Sequence, residues 1–341
     1  MVRISIPTLP ITTWSATTRL AMNAQESYKL LEDFLSGGPA TVLTGAGVSV
    51  DSGIRAYRGK DGRYMNPNYQ PILYQQLMAP GNAGKAFRQR YWARSYLGYP
   101  PVREAKPNIA HYSLTALEHH GFVNRLITQN VDGLHARSGF PKEKLLELHG
   151  TLFVVKCRQG HELDRDEFQD MLSEANPSWK AFVDDMNAQG ESLRTNPDGD
   201  IELEGRSYED FVIPPCPTCL KEGRHETTIK PDVVFFGETI PEYKKQQSLQ
   251  EILDADRFLV VATTMATYSA YRLLQLAHQN KKPIVIVNIG PTRGDHLQLP
   301  QIELPCGDVL KECALRLSRP NDDQGRRLLD VLRSWPITTK I

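Results

Sequence analysis

Short, largely apolar runs recur along this chain at intervals filled by helical patterns, and that alternation limits the fold more than any other feature. The runs are P-A-T-V-L-T (39–44), R-L-I-T (125–128), R-F-L-V-V-A (257–262) and P-I-V-I-V-N (283–288). Each is bounded by turn or helix signals and reads as a buried strand. Helical spacing of apolar residues falls between them at 24–36, 108–120 and 268–280. Strands alternating with helices predict an α/β fold with a doubly wound parallel sheet, whose ligands lie at the strand carboxyl ends.

Two stretches do not fit that sheet. Residues 54–107 are rich in Tyr, Arg, Gly and Pro, and residues 151–229 hold a C-P-T-C knuckle and the segment N-P-D-G-D (196–200). Both are expected to belong to one smaller, metal-containing module inserted into a sheet domain formed by 26–53, 108–150 and 230–318. Residues 319–341 read as a C-terminal tail.

With 341 residues the chain is long enough for about two domains. Its 40 basic and 40 acidic residues cancel, so no global charge points to nucleic acid or a membrane surface. No apolar run approaches the ~20 residues that span a bilayer. Five cysteines, an odd number, do not read as a secreted disulfide framework. The first 25 residues carry Arg3, Arg19 and many hydroxyls, with no acid before Glu26. That composition predicts a mitochondrial transit peptide and a matrix location; the plain alternative is a disordered tail.

Three segments follow predicted strands or apolar runs. G-A-G-V-S-V-D-S-G (45–53) is a Gly-rich turn where backbone N–H groups can cradle a pyrophosphate. It departs from G-x-G-x-x-G, because the glycine after Gly47 is Gly53, which disfavours an ordinary dinucleotide dehydrogenase. T-Q-N-V-D-G-L-H (128–135) sets an amide and a carboxylate two residues apart, suited to a ribose and a carboxamide, or to a plain helix cap. L-H-G (148–150) places His149 beside a glycine, where an imidazole can act as general base; a lone histidine among nine is more often structural.

Taken in order with K-P-D-V-V-F-F-G-E (230–238) and V-N-I-G (287–290), these segments resemble the sirtuin family of NAD-dependent protein deacylases. The likeness runs from about residue 26 to about residue 315. R-Q-R-Y-W-A-R (88–94), N-P-S-W (176–179), N-P-D-G-D and N-I-G-P-T-R (288–293) make it most similar to class II and its mitochondrial sirtuin-four branch.

The resemblance implies a parallel-sheet NAD domain with a smaller inserted zinc module. Gly45, Ala46, Gly47, Ser49, Ser52 and Gly53 would wrap the NAD pyrophosphate, with Thr263 nearby, and Tyr57 and Arg58 would lie on a loop over the nicotinamide ribose. Gln129 and Asn130 would contact that ribose, and Asp132 would hold the carboxamide. Asn288 and the backbone near Cys306 would receive the adenosine. Val233, Val234, Phe235, Phe236 and Gly237 would pair with an acylated protein substrate as an added strand. His149 would be the base, with Asn130 and Asp132 completing the catalytic set. The implied products are free lysine, nicotinamide and O-acyl-ADP-ribose. Protein mono-ADP-ribosylation, or a catalytically weak NAD-sensing interaction protein, are the rival readings.

Three departures from the family pattern stand out. Arg55 and Ala56 replace Pro-Asp on the cofactor loop, and Ala262-Thr263-Thr264 replaces a Gly-Ser/Thr-Ser turn. In the metal module Gly160 stands where a second thiolate belongs, so the expected zinc ligands are Cys157, His161, Cys216 and Cys219. Finally, Tyr91 and Arg94 share the Y-x-x-R spacing with which related sirtuins bind an acyl carboxylate. That predicts a preference for acidic or longer acyl groups, unless Arg94 simply pairs with a nearby acid.

Overall fold

The computed structural model describes residues 22–58, 62, 64, 71–189, 196–201, 207–225, 227–320 and 322–335. Helix α1 (Ala24–Ser36) opens on a capping box in which Asn23 and Glu26 satisfy each other's backbone N–H groups. Strand β1 (Ala40–Thr44) follows and is buried along its whole length. After it come α2 (Tyr74–Leu77), α3 (Gly81–Glu104), α4 (Ile109–His119), β2 (Val123–Thr128), α5 (Leu134–Arg137) and β3 (Leu145–Glu147). The middle of the chain forms β4 (Gly150–Cys157), β5 (Glu162–Asp164), α6 (Arg165–Ala175), α7 (Pro177–Ala188), α8 (Pro217–Lys221) and β6 (Ile229–Val233). The last third is α9 (Glu242–Leu253), β7 (Arg257–Val261), α10 (Tyr268–Gln279), β8 (Ile284–Val287), β9 (Gln301–Ile302), α11 (Cys306–Leu317) and α12 (Asp323–Ser334).

The main sheet is parallel with order β3-β2-β1-β7-β8-β9. The chain therefore winds outward from β1 in one direction and from β7 in the other, which puts the switch point between those two strands. Register aligns their ends: Thr44 pairs with Thr128 and Val261, Val261 with Val287, and Thr128 with Glu147. The loops that follow these strands consequently emerge along one edge of the sheet. Both faces are covered. Leu31, Leu35, Leu114, Leu117 and Leu310 form one core layer, and Ile252, Tyr271, Leu273 and Leu274 form the other. This is why the strands read as continuous apolar runs.

A second, antiparallel sheet of order β5-β4-β6 carries its own core. Leu77, Trp92, Ala93 and Leu97 from residues before the sheet's second strand pack there with Phe168, Trp179, Phe211 and Cys219. The segment read as a tail is different from that expectation. Within it, α12 buries Leu328, Leu329 and Leu332 in the same core layer as α4 and α11. The transit-peptide expectation covers residues 1–25, of which 1–21 lie outside the described residues.

Candidate active site and metal centre

The strand-end loops enclose a cavity of about 1120 Å³. After β1, Gly45 and Gly47 lead into a 3-10 turn, Ala46–Ser52, that stops at Gly53, whose φ of +87° is left-handed. A Cβ on Gly45 would sit 2.5 Å from Cβ of Thr263, and one on Gly47 would sit 2.9 Å from the Ala262 carbonyl oxygen. Only glycine lets these two loops touch, and their contact lines the cavity floor. Ala262 itself is held at φ +50°, a region costly for a residue with a Cβ. The Ala262-Thr263-Thr264 turn thus keeps a glycine-like backbone without the glycine.

Behind the turn lies a buried polar cluster. Asn130 Nδ2 donates to the Gly45 carbonyl at 3.2 Å and to Ser49 Oγ at 3.0 Å. Ser49 Oγ donates to one oxygen of Asp132 at 2.7 Å, and the Leu134 amide donates to the other at 2.9 Å. Burial pushes the Asp132 pKa up, and these donors oppose that shift by holding the ionised form. Gln129 Nε2 donates to the Thr44 carbonyl and to Thr263 Oγ1, tying the ends of β1, β2 and β7 together.

His149 lines the same cavity, between β3 and β4. Its Nδ1 lies 3.2 Å from the Gln129 carbonyl and its Nε2 lies 2.9 Å from Ser269 Oγ. A carbonyl can only accept, so Nδ1 carries the proton and Nε2 offers the lone pair. Burial is the chief reason its pKa falls to about 4, with Lys244 and Arg272 pushing the same way and the Gln129 bond opposing. The imidazole is therefore neutral at ordinary pH.

Tyr57, Arg58, Asn288 and Cys306 also line the cavity. Arg58 donates to Thr264 Oγ1 at 3.3 Å and lies over the Tyr64 ring. Asn288 is buried and donates to the Ile289 and Gly290 carbonyls. Ser52 is the last residue of the turn, 3.0 Å from Asn108 Nδ2. On the opposite wall Val233–Gly237 extends from β6, fixed by Val234 N to the His149 carbonyl at 2.8 Å and Phe235 N to Glu238 at 2.9 Å.

In the small module, Cys157, His161, Cys216 and Cys219 bring four donor atoms within 4.8 Å of one another. Cys219 Sγ is 3.6 Å from Cys157 Sγ and 3.4 Å from His161 Nδ1; Cys216 Sγ is 3.8 Å from that nitrogen. Tetrahedral zinc, with Zn–S of about 2.3 Å, sets thiolates roughly 3.8 Å apart, so this donor set fits one zinc ion. Gly160 supplies the reason for the shifted ligand. Its φ of +90° turns the chain so that His161 faces the thiols. The outer nitrogen of His161, Nε2, lies 3.4 Å from Glu222.

Residues 45–269 match the family model described as Sir2 family. The chain belongs to the Sir2 family. It is 42% identical over 304 residues to the "NAD-dependent protein deacylase SIR4" of Batrachochytrium dendrobatidis, covering 87% of this chain and 96% of that one. It is 36% identical over 289 residues to the "NAD-dependent protein deacylase Sirt4" of Drosophila melanogaster, covering 84% and 86%. A solved "Sir2-p53 peptide-NAD+" complex superposes with a TM-score of 0.61 at 25% identity, over 83% of this chain and 95% of that chain.

One sequence-based assignment needs correction in this Sir2 family member. Arg94 is not an open guanidinium waiting for an acyl carboxylate. Its Nη2 meets Asp200 at 2.6 Å and its Nε donates to the Ile201 carbonyl at 2.5 Å. Tyr91 packs edge-on to Trp92 and Phe235. It lines a small pocket beside the main cavity, together with Asp198, Asp200 and Ile72. Sequence reasoning missed Asp200 and Ser269. The first was visible as the last residue of N-P-D-G-D, but nothing local ties it to Arg94.

Proposed function

We propose that the chain is an NAD-dependent protein-lysine deacylase that releases free lysine, nicotinamide and O-acyl-ADP-ribose. The observation that carries this reading is the fixed tautomer of His149, which lines the glycine-lined cavity and leaves Nε2 as the accepting nitrogen, 2.9 Å from Ser269 Oγ. NAD bound there supplies an activated ribose. The chain's own part is to hold it and to move one proton. Gly45, Ala46, Gly47 and Gly53 allow close backbone approach to the pyrophosphate, with Ser49 and Ser52 on the same turn. Gln129 and Asn130 stand at the nicotinamide ribose. Asp132, whose carboxyl accepts from Ser49 and the Leu134 amide, receives the carboxamide. Asn288 and the Cys306 backbone serve the adenosine end. His149 Nε2 takes a proton from a ribose hydroxyl, and its low pKa keeps it ready to do so. Val233–Gly237 offers the edge along which an acyl-lysine peptide lies.

The acyl preference follows from the small pocket. An acyl carboxylate reaches Arg94 only by displacing Asp200, whereas a longer uncharged chain gains contact with Ile72, Tyr91 and Phe235. A longer acyl group is therefore favoured over acetyl. The test is to incubate the chain and NAD with peptides carrying different acyl groups and to weigh the products. Free lysine peptide with O-acyl-ADP-ribose supports the proposal. ADP-ribose attached to protein, with the acyl group left in place, overturns it. A matrix location is part of the same proposal, resting on the basic, acid-free start and on the similarity to Sirt4. Residues 1–30 fused to a fluorescent reporter should enter mitochondria, and a diffuse cytosolic signal refutes this.

A further inference from the structure

We infer that Ser269 is a positioning residue for the catalytic base, acting through His149 Nε2. The inference rests on the deacylase reading above and adds a residue to it. Ser269 sits in the first turn of α10, and its hydroxyl is 2.9 Å from Nε2, the nitrogen that must take the proton. It is also 3.2 Å from Thr267 Oγ1, and Thr267 Oγ1 is 3.4 Å from Gln129 Oε1. The orientation of the Gln129 amide is not arbitrary. Its Nε2 donates to the Thr44 carbonyl, so Oε1 must face Thr267. Gln129 thus reaches the imidazole at both ends, through its backbone carbonyl at Nδ1 and through Thr267 and Ser269 at Nε2.

This ring of contacts has two settings. With His149 neutral and no ribose bound, the Ser269 hydroxyl donates to the single Nε2 lone pair and holds the ring in place. A ribose hydroxyl that donates to Nε2 displaces this bond, and the Ser269 hydrogen turns to Thr267. Once Nε2 has taken a proton from the ribose hydroxyl and the ribose oxygen has moved off to bond the imidate carbon, that N–H donates to Ser269 Oγ. The Ser269 proton stays turned to Thr267, and the Thr267 proton to Gln129 Oε1. No proton passes beyond His149; the hydroxyls only reorient. The product-side bond is charge-assisted, which makes it stronger than the one it replaces. Ser269 therefore favours the protonated state at the moment it forms, and Lys244 from α9 and Arg272 from α10 oppose that state.

The prediction separates two partial reactions. Nicotinamide leaves before His149 acts, so exchange of labelled nicotinamide into NAD, in the presence of acyl-peptide, reports on the earlier step. Lysine formation reports on the later one. In Ser269→Ala, kcat for lysine formation should fall roughly tenfold or more, the fold-change of one charge-assisted hydrogen bond, while exchange falls much less and KM for NAD holds. Ser269→Thr, which keeps the hydroxyl, should recover most of the rate. Equal loss of exchange and lysine formation would mean that Ser269 only supports the fold, and an unchanged kcat would mean that it does nothing for His149. Either result overturns the inference. A wild-type chain with neither exchange nor lysine formation would instead overturn the deacylase reading on which it rests.

Discussion

Asp200 closes on the Arg94 guanidinium at 2.6 Å, and the two side chains are only 10% and 7% exposed. A pair this buried resists the loss of either partner more than its presence stabilises, because the survivor is left as an uncompensated charge. Asp200→Ala should therefore lower stability by ~3–5 kcal/mol, read as a drop in Tm. It should also free Arg94, so that a glutaryl-type peptide gains on acetyl in the variant relative to wild type. Asp200→Ala with an unchanged acyl ranking would separate Arg94 from acyl choice altogether.

The metal module makes a second prediction. His161 turns Nδ1 to the thiols and leaves Nε2 for Glu222 at 3.4 Å. A carboxylate on the outer nitrogen of a metal-bound histidine fixes its tautomer and strengthens it as a ligand. Purified chain should carry about one zinc, and Glu222→Gln should lose it to a chelator at roughly ten- to hundredfold lower chelator concentration. His161→Ala should weaken binding further and destabilise the core around Trp92, Phe168 and Trp179. Full zinc retention in His161→Ala, at wild-type affinity, would remove that ligand.

How much of this was legible beforehand depended on range. The four strands were readable because each is buried on both faces, so local composition alone marks them. Cys216 and Cys219 were readable from the C-P-T-C knuckle, whereas Cys157 and His161 entered only through the resemblance, because C-x-x-x-H is an unusual first half for a zinc site. Arg94 was not readable, since its partner lies 106 residues away and an unpaired arginine looks the same in sequence. Ser269 was hidden for a related reason: a serine at the start of a helix is usually just a capping residue. Helix α12 had helical spacing at Leu328, Leu329 and Leu332, but it follows no strand and carries many charges, so it passed for a tail.

Catalysis should show an unusual acid limb. An ordinary imidazole titrates near 6.5, but burial brings His149 down to about 4. Activity needs the neutral ring, so kcat should hold as pH falls through 6.5 and decline only toward 4. His149→Ala should abolish turnover while the far-ultraviolet spectrum and melting curve show a folded chain. A wild-type limb centred near 6.5 would mean that the ring is more hydrated in the working enzyme than its surroundings indicate.

The last prediction concerns a pair of histidines that the chemistry does not use. His111 and His135 lie with ring centroids 4.7 Å apart, and both are buried. Burial depresses His135 to about 3 and His111 well below 6.5, each further lowered or left unaided by its surroundings. The unfolded chain takes up these protons near 6.5, whereas the folded chain does not. The unfolded state therefore binds more protons below that pH, and stability falls as pH drops from 6.5 toward about 3. Glu147 acts in the opposite sense, since burial raises its pKa to about 7 and the folded chain takes up that proton first. The net slope thus mixes signs, and a variant isolates the histidine contribution. His135→Gln should make unfolding take up about one proton fewer near pH 5, flattening the fall of stability by about 1.4 kcal/mol per pH unit. Denaturant unfolding at several pH values measures this, and parallel slopes in wild type and variant would show that His135 is already protonated in the folded chain.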